Sequence, residues 1–223
     1  MPLKPEAAPG FIVTEHGEQR FARIKDTMEQ RVVTLFHHSL EATMNAGEIL
    51  APLIAEASQM VVHTLLAESK VLLCGNGVSG ALAQSFSSQL TGGFQRERPG
   101  LPAMALNSDG VSMGTVAQNH GSADTFARPV RALGQSGDLL VIISSHGREP
   151  NLVQAMRAAR DRDMGILALT GGDGGDCASL LNTHDIELRV PSEVSAEVHQ
   201  VHLLTIFCLS DLIDSSLFGG YED

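Results

Sequence analysis

Residues 70–91 read KVLLCGNGVSGALAQSFSSQLT, and they constrain the fold more than any other stretch. The apolar run Val71-Leu72-Leu73-Cys74 has the length and composition of a buried strand. Gly75-Asn76-Gly77 then turns the chain, and a helical pattern begins at Val78-Ser79. A strand, a glycine turn and a helix N-terminus leave several backbone N–H groups unpaired and aimed at one spot, where the helix dipole also favours negative charge. Such a turn suits an anion, most often a phosphate. Asn76, Gly77 and Ser79 are therefore the first candidate pocket residues.

Strands and helices continue to alternate downstream. Residues 102–106 (PAMAL) read as a buried strand, and 139–143 (LLVII) as the continuous apolar run of a central parallel strand. Residues 165–170 supply the next strand, and the alternating 185–190 an edge strand. Helices are expected over 111–118, 123–133, 150–162, 177–181 and 194–218. A second strand-to-helix turn, Ser144-Ser145-His146-Gly147-Arg148-Glu149, adds Ser144, Ser145 and Gly147 to the candidate pocket. This alternation predicts a doubly wound α/β sheet with both faces covered, whose ligands sit at the carboxyl ends of the strands near a switch point.

Upstream, helical spacing predicts two helices over 21–45 and 51–68, interrupted at Gly47, with Pro52 accommodated in the first turn of the second. Residues 1–20 carry Pro, Glu and Gly without periodicity and read as a flexible arm. The expected organisation is an arm at 1–20, N-terminal helices at 21–69 serving oligomer contact, and an α/β core at 70–223. The last helix is apolar almost all round and needs cover on more than one side, which an oligomer interface would supply.

The 223 residues, 43% of them hydrophobic, suffice for one large domain with an appended arm. No uninterrupted apolar run approaches the roughly 20 residues of a membrane span. The first residues show no apolar leader, so a cytoplasmic protein is expected. A net charge of −11 argues against direct nucleic-acid binding, and the densest basic stretch is only Gln95-Arg96-Glu97-Arg98. With no Trp and one Tyr there is no base-stacking platform. Cys74, Cys177 and Cys208 are too scattered for a metal site or a disulfide framework. His199 and His202 share a helix face and could bind zinc, but two ligands do not make a site, so no metal or cofactor is expected.

The segments CGNGVS, FQRERPGLPAMALN, GDLLVIISSHG, DMGILALTGGDGG and HLLTIFCLSDLIDSSLF resemble those of SIS (sugar isomerase) domains, over residues 24–218. The resemblance implies a flavodoxin-like five-stranded parallel sheet with helices on both faces, N-terminal helices in addition, and a homotetramer with its sites between subunits. Two branches of the family are similar. The phosphoheptose isomerase branch isomerises sedoheptulose 7-phosphate with a metal, moving a proton with a Glu and a His. Position by position, that His and Glu fall at Ser85 and Gln89, a second His at Phe207, and a metal-binding Gln at His199. Gln89 keeps the size of a Glu but accepts no proton near neutral pH, and Phe207 offers no lone pair. The match therefore implies no catalytic residue of the kind that branch uses.

That branch also binds phosphate through a Ser-Thr-Ser-Gly-Asn-Ser turn. Ser144, Ser145 and Gly147 match it, while His146, Arg148 and Glu149 replace the rest. A carboxylate at Glu149 would repel a phosphate about 4 Å away by on the order of 1–4 kcal/mol per unit charge. Alternatively Glu149 caps the following helix. Either way the phosphate site is compromised.

The second branch, the DnaA initiator-associating proteins, is closer in RERPGLPAMALNSD, VRALGQSGD and the closing DLIDSSLF. There the residues matching Ser79 and Leu217-Phe218 are associated with contact to the initiator DnaA. The resemblance thus implies partner-binding roles for Ser79, Leu217 and Phe218, against the plainer readings of an N-cap and of helix-end packing. The implied function is a non-catalytic homotetrameric scaffold for a DnaA-type initiator. A phosphosugar isomerase and a phosphosugar-binding sensor are the alternatives.

Overall fold

A computed structural model of the chain describes residues 15–219, with side chains from Thr27 onward. In order, the described residues form α1 (Glu15–Leu66), β1 (Val71–Gly75), α2 (Gly77–Gly92), β2 (Ala103–Ala105), α3 (Gly110–His120) and α4 (Ala127–Leu133). There follow β3 (Leu139–Ile143), α5 (Pro150–Arg160), β4 (Gly165–Gly171), α6 (Gly175–Ala178), β5 (Ile186–Val190) and α7 (Ser195–Phe218). The five strands make one parallel sheet in the order β2-β1-β3-β4-β5, as the alternation predicts.

The two expected N-terminal helices are one. Gly47 and Pro52 both lie inside α1. The reason is the buried stripe Ala46, Leu50, Ile54, Ala57 and Val61, which runs past both residues at helical spacing and is at most 8% exposed. Its packing outweighs the roughly 1 kcal/mol penalty of an interior Gly and the missing N–H of the Pro. Most of the predicted arm, residues 1–14, lies outside the described residues, and α1 is already under way at Glu15. Compact packing divides the chain after Glu41. In the first unit Met28, Phe36 and Leu40 are exposed.

Strand alternation feeds two cores. Val71, Leu73, Val141, Ile143, Leu167 and Leu169 pack with Leu50, Phe86, Val198 and Ile206 from α1, α2 and α7. Leu72, Cys74, Leu140, Ile142, Ile166 and Ala168 pack with Phe126, Val130, Leu152 and Met156 on the other face. At the opposite end from the glycine turns, the buried Asp138 accepts the backbone N–H of Lys70 at 2.9 Å and of Gln135 at 2.8 Å, and pairs with the Lys70 ammonium. One carboxylate thereby ties the start of β1 to the start of β3.

Judged by mean hydropathy rather than by uninterrupted runs, two helices among the described residues are long and apolar enough to cross a bilayer, Thr27–Leu66 and α7. Core helices pass the same test, and α7 is such a helix: it buries Val198, Val201, Ile206, Leu209 and Ile213 against the sheet side, together with the polar His202 and Asp214.

Candidate functional site

The order β2-β1-β3 puts the topological switch between β1 and β3, and the two glycine turns leave the carboxyl ends of those two strands. In the first turn Asn76 is the N-cap of α2 by position, but its side chain makes no cap bond. The Asn76 amide instead pairs reciprocally with Asn151 on α5, at 2.9 Å in each direction, and Asn151 also donates to Thr125 Oγ1 at 3.3 Å. The two turns are thus stitched together across the crevice. The turn is tight: a Cβ on Gly75 would lie 2.7 Å from the Ser79 carbonyl, and Gly77 has φ +53°.

Ser79 is 3% exposed. It is not the N-cap; its hydroxyl lies 3.2 Å from His199 Nε2, bridging α2 to α7. Its neighbour Val78 is 56% exposed and forms the outward rim of the turn.

The second turn is organised around Ser144, which is fully buried. Ser144 Oγ accepts the N–H of Gly147 at 2.7 Å and of His146 at 3.2 Å, and donates to Glu149 Oε2 at 2.6 Å. Gly147 has φ +65°, and a Cβ there would fall 2.0 Å from the Gly174 carbonyl oxygen. Glu149 holds the N-cap position of α5, yet its carboxylate makes no cap bond. The side-chain capping expectation is corrected: the carboxylate turns back into the strand-end turn, with His146 Nδ1 at 3.7 Å. Arg148 points elsewhere and pairs with Asp173 at 2.5 Å. Ser145 lies beside Gly171, where a Cβ would meet the Ser145 carbonyl at 2.6 Å.

The two histidines of α7 are both engaged. His202 is fully buried and its Nε2 donates to the Thr170 carbonyl at 3.0 Å. Burial pushes its pKa down to about 4, so the ring is neutral near pH 7. His199 is held below the usual range by partial burial, with the nearby Glu149 carboxylate pulling the other way. Among the described residues no group of three His, Cys, Asp or Glu side chains is placed to hold a metal ion.

Further along α2 and α7, Gln89 donates to Ser85 Oγ at 3.2 Å and accepts from Ser210 Oγ at 2.7 Å. Phe207 stacks on Phe94, with ring centroids 5.8 Å apart and planes at 19°. The position therefore holds an amide–hydroxyl chain and an aromatic pair, neither of which titrates near neutral pH.

Sequence reasoning missed the residue that organises the C-terminal patch. Arg98 is nearly fully buried: its Nε pairs with Asp214 Oδ1 at 2.6 Å, and it donates to the carbonyls of Gln89 at 2.7 Å and Leu90 at 2.8 Å. Its guanidinium lies 5.7 Å from the Phe218 ring centroid. Arg96 closes the helix end, donating to the carbonyls of Gly219 at 2.7 Å and Phe218 at 3.3 Å. Leu217 and Phe218 are half-buried, Leu217 against the core. A cation inside the polar run QRERPG was the only sequence signal.

The SIS domain family model matches residues 35–171. A phosphoheptose isomerase of Chromohalobacter salexigens is 50% identical over 87% of this chain and 98% of its own length. The DnaA initiator-associating protein DiaA of Cronobacter sakazakii is 44% identical over 88% of this chain and 100% of its own. Among solved structures, a phosphoheptose isomerase from Francisella tularensis superposes with a TM-score of 0.83 at 40% identity, covering 84% of this chain and 98% of its own.

Proposed function

This chain belongs to the SIS domain family, and within that family we propose that it is a non-catalytic homotetrameric scaffold that binds a DnaA-type replication initiator and promotes its assembly at the origin. The observation that carries this reading is the Ser85–Gln89–Ser210 chain beside the Phe94–Phe207 stack. An aldose–ketose isomerase needs a proton acceptor within hydrogen-bond reach of its substrate, and an amide and a phenyl ring supply none. The 44% identity to DiaA, over the full length of that protein, supports the same choice.

In this reading Leu217 and Phe218 form the docking patch, held in place by Arg96 and Arg98. Ser79 acts from inside, fixing the turn through His199 while the exposed Val78 forms the rim. Four equivalent patches on one tetramer would raise the local concentration of initiator molecules without any new contact. A net charge of −11 suits a basic, nucleic-acid-binding partner rather than nucleic acid itself. The exposed apolar side chains of Met28, Phe36 and Leu40 are the surface proposed for subunit contact. Truncation of residues 1–20 tests the arm's share of that contact by its effect on oligomer mass. The proposed compartment is the cytoplasm.

A second reading, an isomerase or sensor of sedoheptulose 7-phosphate, is favoured by the 50% identity to a phosphoheptose isomerase. Two assays on purified protein decide. Capture of DnaA that is lost in Phe218→Ala, with the oligomer mass unchanged, supports the scaffold. Turnover of sedoheptulose 7-phosphate above background with added zinc refutes it.

A further inference from the structure

We infer that α3 is a face on which two copies of this chain meet: it packs antiparallel against α3 of a second copy across a twofold axis, with the closest approach at Gly114. The inference rests on the homotetramer of the proposed function only in taking copies to associate, and it supplies a face which that reading lacks. A tetramer of D2 symmetry needs two different self-complementary faces. The α1 surface named above is one of them, and α3 is the other.

The chain itself leaves α3 uncovered. None of its 11 residues is buried. Val111 is 82% exposed, more than any other large apolar side chain among the described residues. A solvated helix carries charge on its outer face, yet between Asp109 and His120 there is none, in a chain of net charge −11. By helical spacing Val111, Gly114, Thr115 and Gln118 share the outward face, opposite the partly buried Met113 and Val116. Gly114 serves nothing within the chain: its φ is not positive, and a Cβ there would meet nothing within 4 Å. Mid-helix glycine is destabilising relative to Ala, and what it permits is close approach of another backbone.

Charge selects a second copy as the occupant. Two chains of net charge −11 repel unless they meet where charge is absent or opposite. The middle of α3 is uncharged, and its two ends are opposite. At the N-terminus the Asp109 carboxylate accepts the Ser112 N–H at 2.9 Å. At the C-terminus Arg128 Nη1 lies 3.3 Å from His120 Nδ1. Neither Asp109 nor Arg128 forms an ion pair among the described residues. Antiparallel packing sets Asp109 of each copy beside the Arg128 end of the other, twice over by symmetry, and opposes the two helix dipoles. Parallel packing would bring the two carboxylates together. Centred on Gly114, the antiparallel register also lays Val111 of each copy on the Gln118 stem of the other.

The test is light-scattering mass of the full chain, wild type against Gly114→Glu, each shown folded by circular dichroism. Gly114→Glu meets no atom of its own chain but sets two carboxylates together at the crossing, and should convert the tetramer to a dimer. Thr115→Cys, beside the axis, should be joined to its counterpart by a short bis-maleimide, with the link mapped by mass spectrometry to position 115 in both chains; this carries the test should Gly114→Glu fail to fold. A wild-type dimer that Gly114→Glu turns into a monomer sinks the homotetramer and supports the α3 contact. A folded Gly114→Glu with unchanged mass overturns the α3 contact and leaves the homotetramer standing. So does absence of the cross-link at position 115. A monomeric wild type overturns both. Loss of DnaA capture in Gly114→Glu at unchanged mass assigns the face to that partner instead and overturns the inference.

Discussion

Replacing Arg98 by Met tests the interior most directly. Arg98 and Asp214 are 2% and 0% exposed, and their 2.6 Å contact is the only charge compensation either has among the described residues. Asp214 Oδ2 already lacks a hydrogen-bond partner. The carbonyls that Arg98 also serves are not orphaned by its loss, because Gln89 O still accepts the Gly93 N–H at 3.1 Å and Leu90 O the Leu101 N–H at 2.9 Å. The penalty is therefore dominated by one uncompensated buried carboxylate, about 3–5 kcal/mol. In urea, at fixed protein concentration, that is a midpoint lowered by roughly 1–2 M. The double variant Arg98→Met with Asp214→Leu should recover most of the loss, since an apolar pair of similar volume leaves no charge behind. A single-variant loss below about 1 kcal/mol, or a double variant no better than the single, would refute the reasoning.

Three further outcomes follow from the same structure. His202 has its pKa lowered to about 4 from an ordinary 6.5, so between those values the unfolded chain binds the extra proton; stability rises with pH across that window and is lost as pH falls through it. Urea midpoints at pH 7.5, 6 and 4.5 should therefore show a shallower acid slope in His202→Leu than in the wild type. Gly147→Ala forces a side chain at φ +65° onto a backbone oxygen 2.0 Å away, and should lower thermal stability by on the order of 2–4 kcal/mol, with the β3–α5 turn losing amide-exchange protection. Asn151→Ala breaks the paired amides that join the two turns and strands the Asn76 side chain, for a loss of about 1–3 kcal/mol in a denaturant melt.

The sheet was legible because its signals are local. A parallel strand covered on both faces reads as an unbroken apolar run, and Leu139 to Ile143 is buried at every position. The two strand-end turns were legible for the same reason, since glycine at positive φ and a helix start are written in adjacent residues. The N-terminal helices were misread as two because Gly47 and Pro52 are local breakers. What overrides them is a stripe packed against residues far along the chain, α7's Val201 and Ile206 among them. The cap assignments of Ser79 and Glu149 failed in the same way: both stand at helix starts, where capping is the generic outcome, and both turn to partners the helix start does not specify.

The sequence by itself determined the strand–helix alternation of the core and the parallel character of its sheet, because hydrophobic periodicity and turn chemistry act over a few residues. Only the tertiary structure decided what the polar side chains do there. Ser79 finds His199 across 120 positions and Arg98 finds Asp214 across 116. A buried polar atom must be satisfied by whatever the fold brings within about 3 Å, and that neighbour is chosen by packing rather than by spacing along the chain.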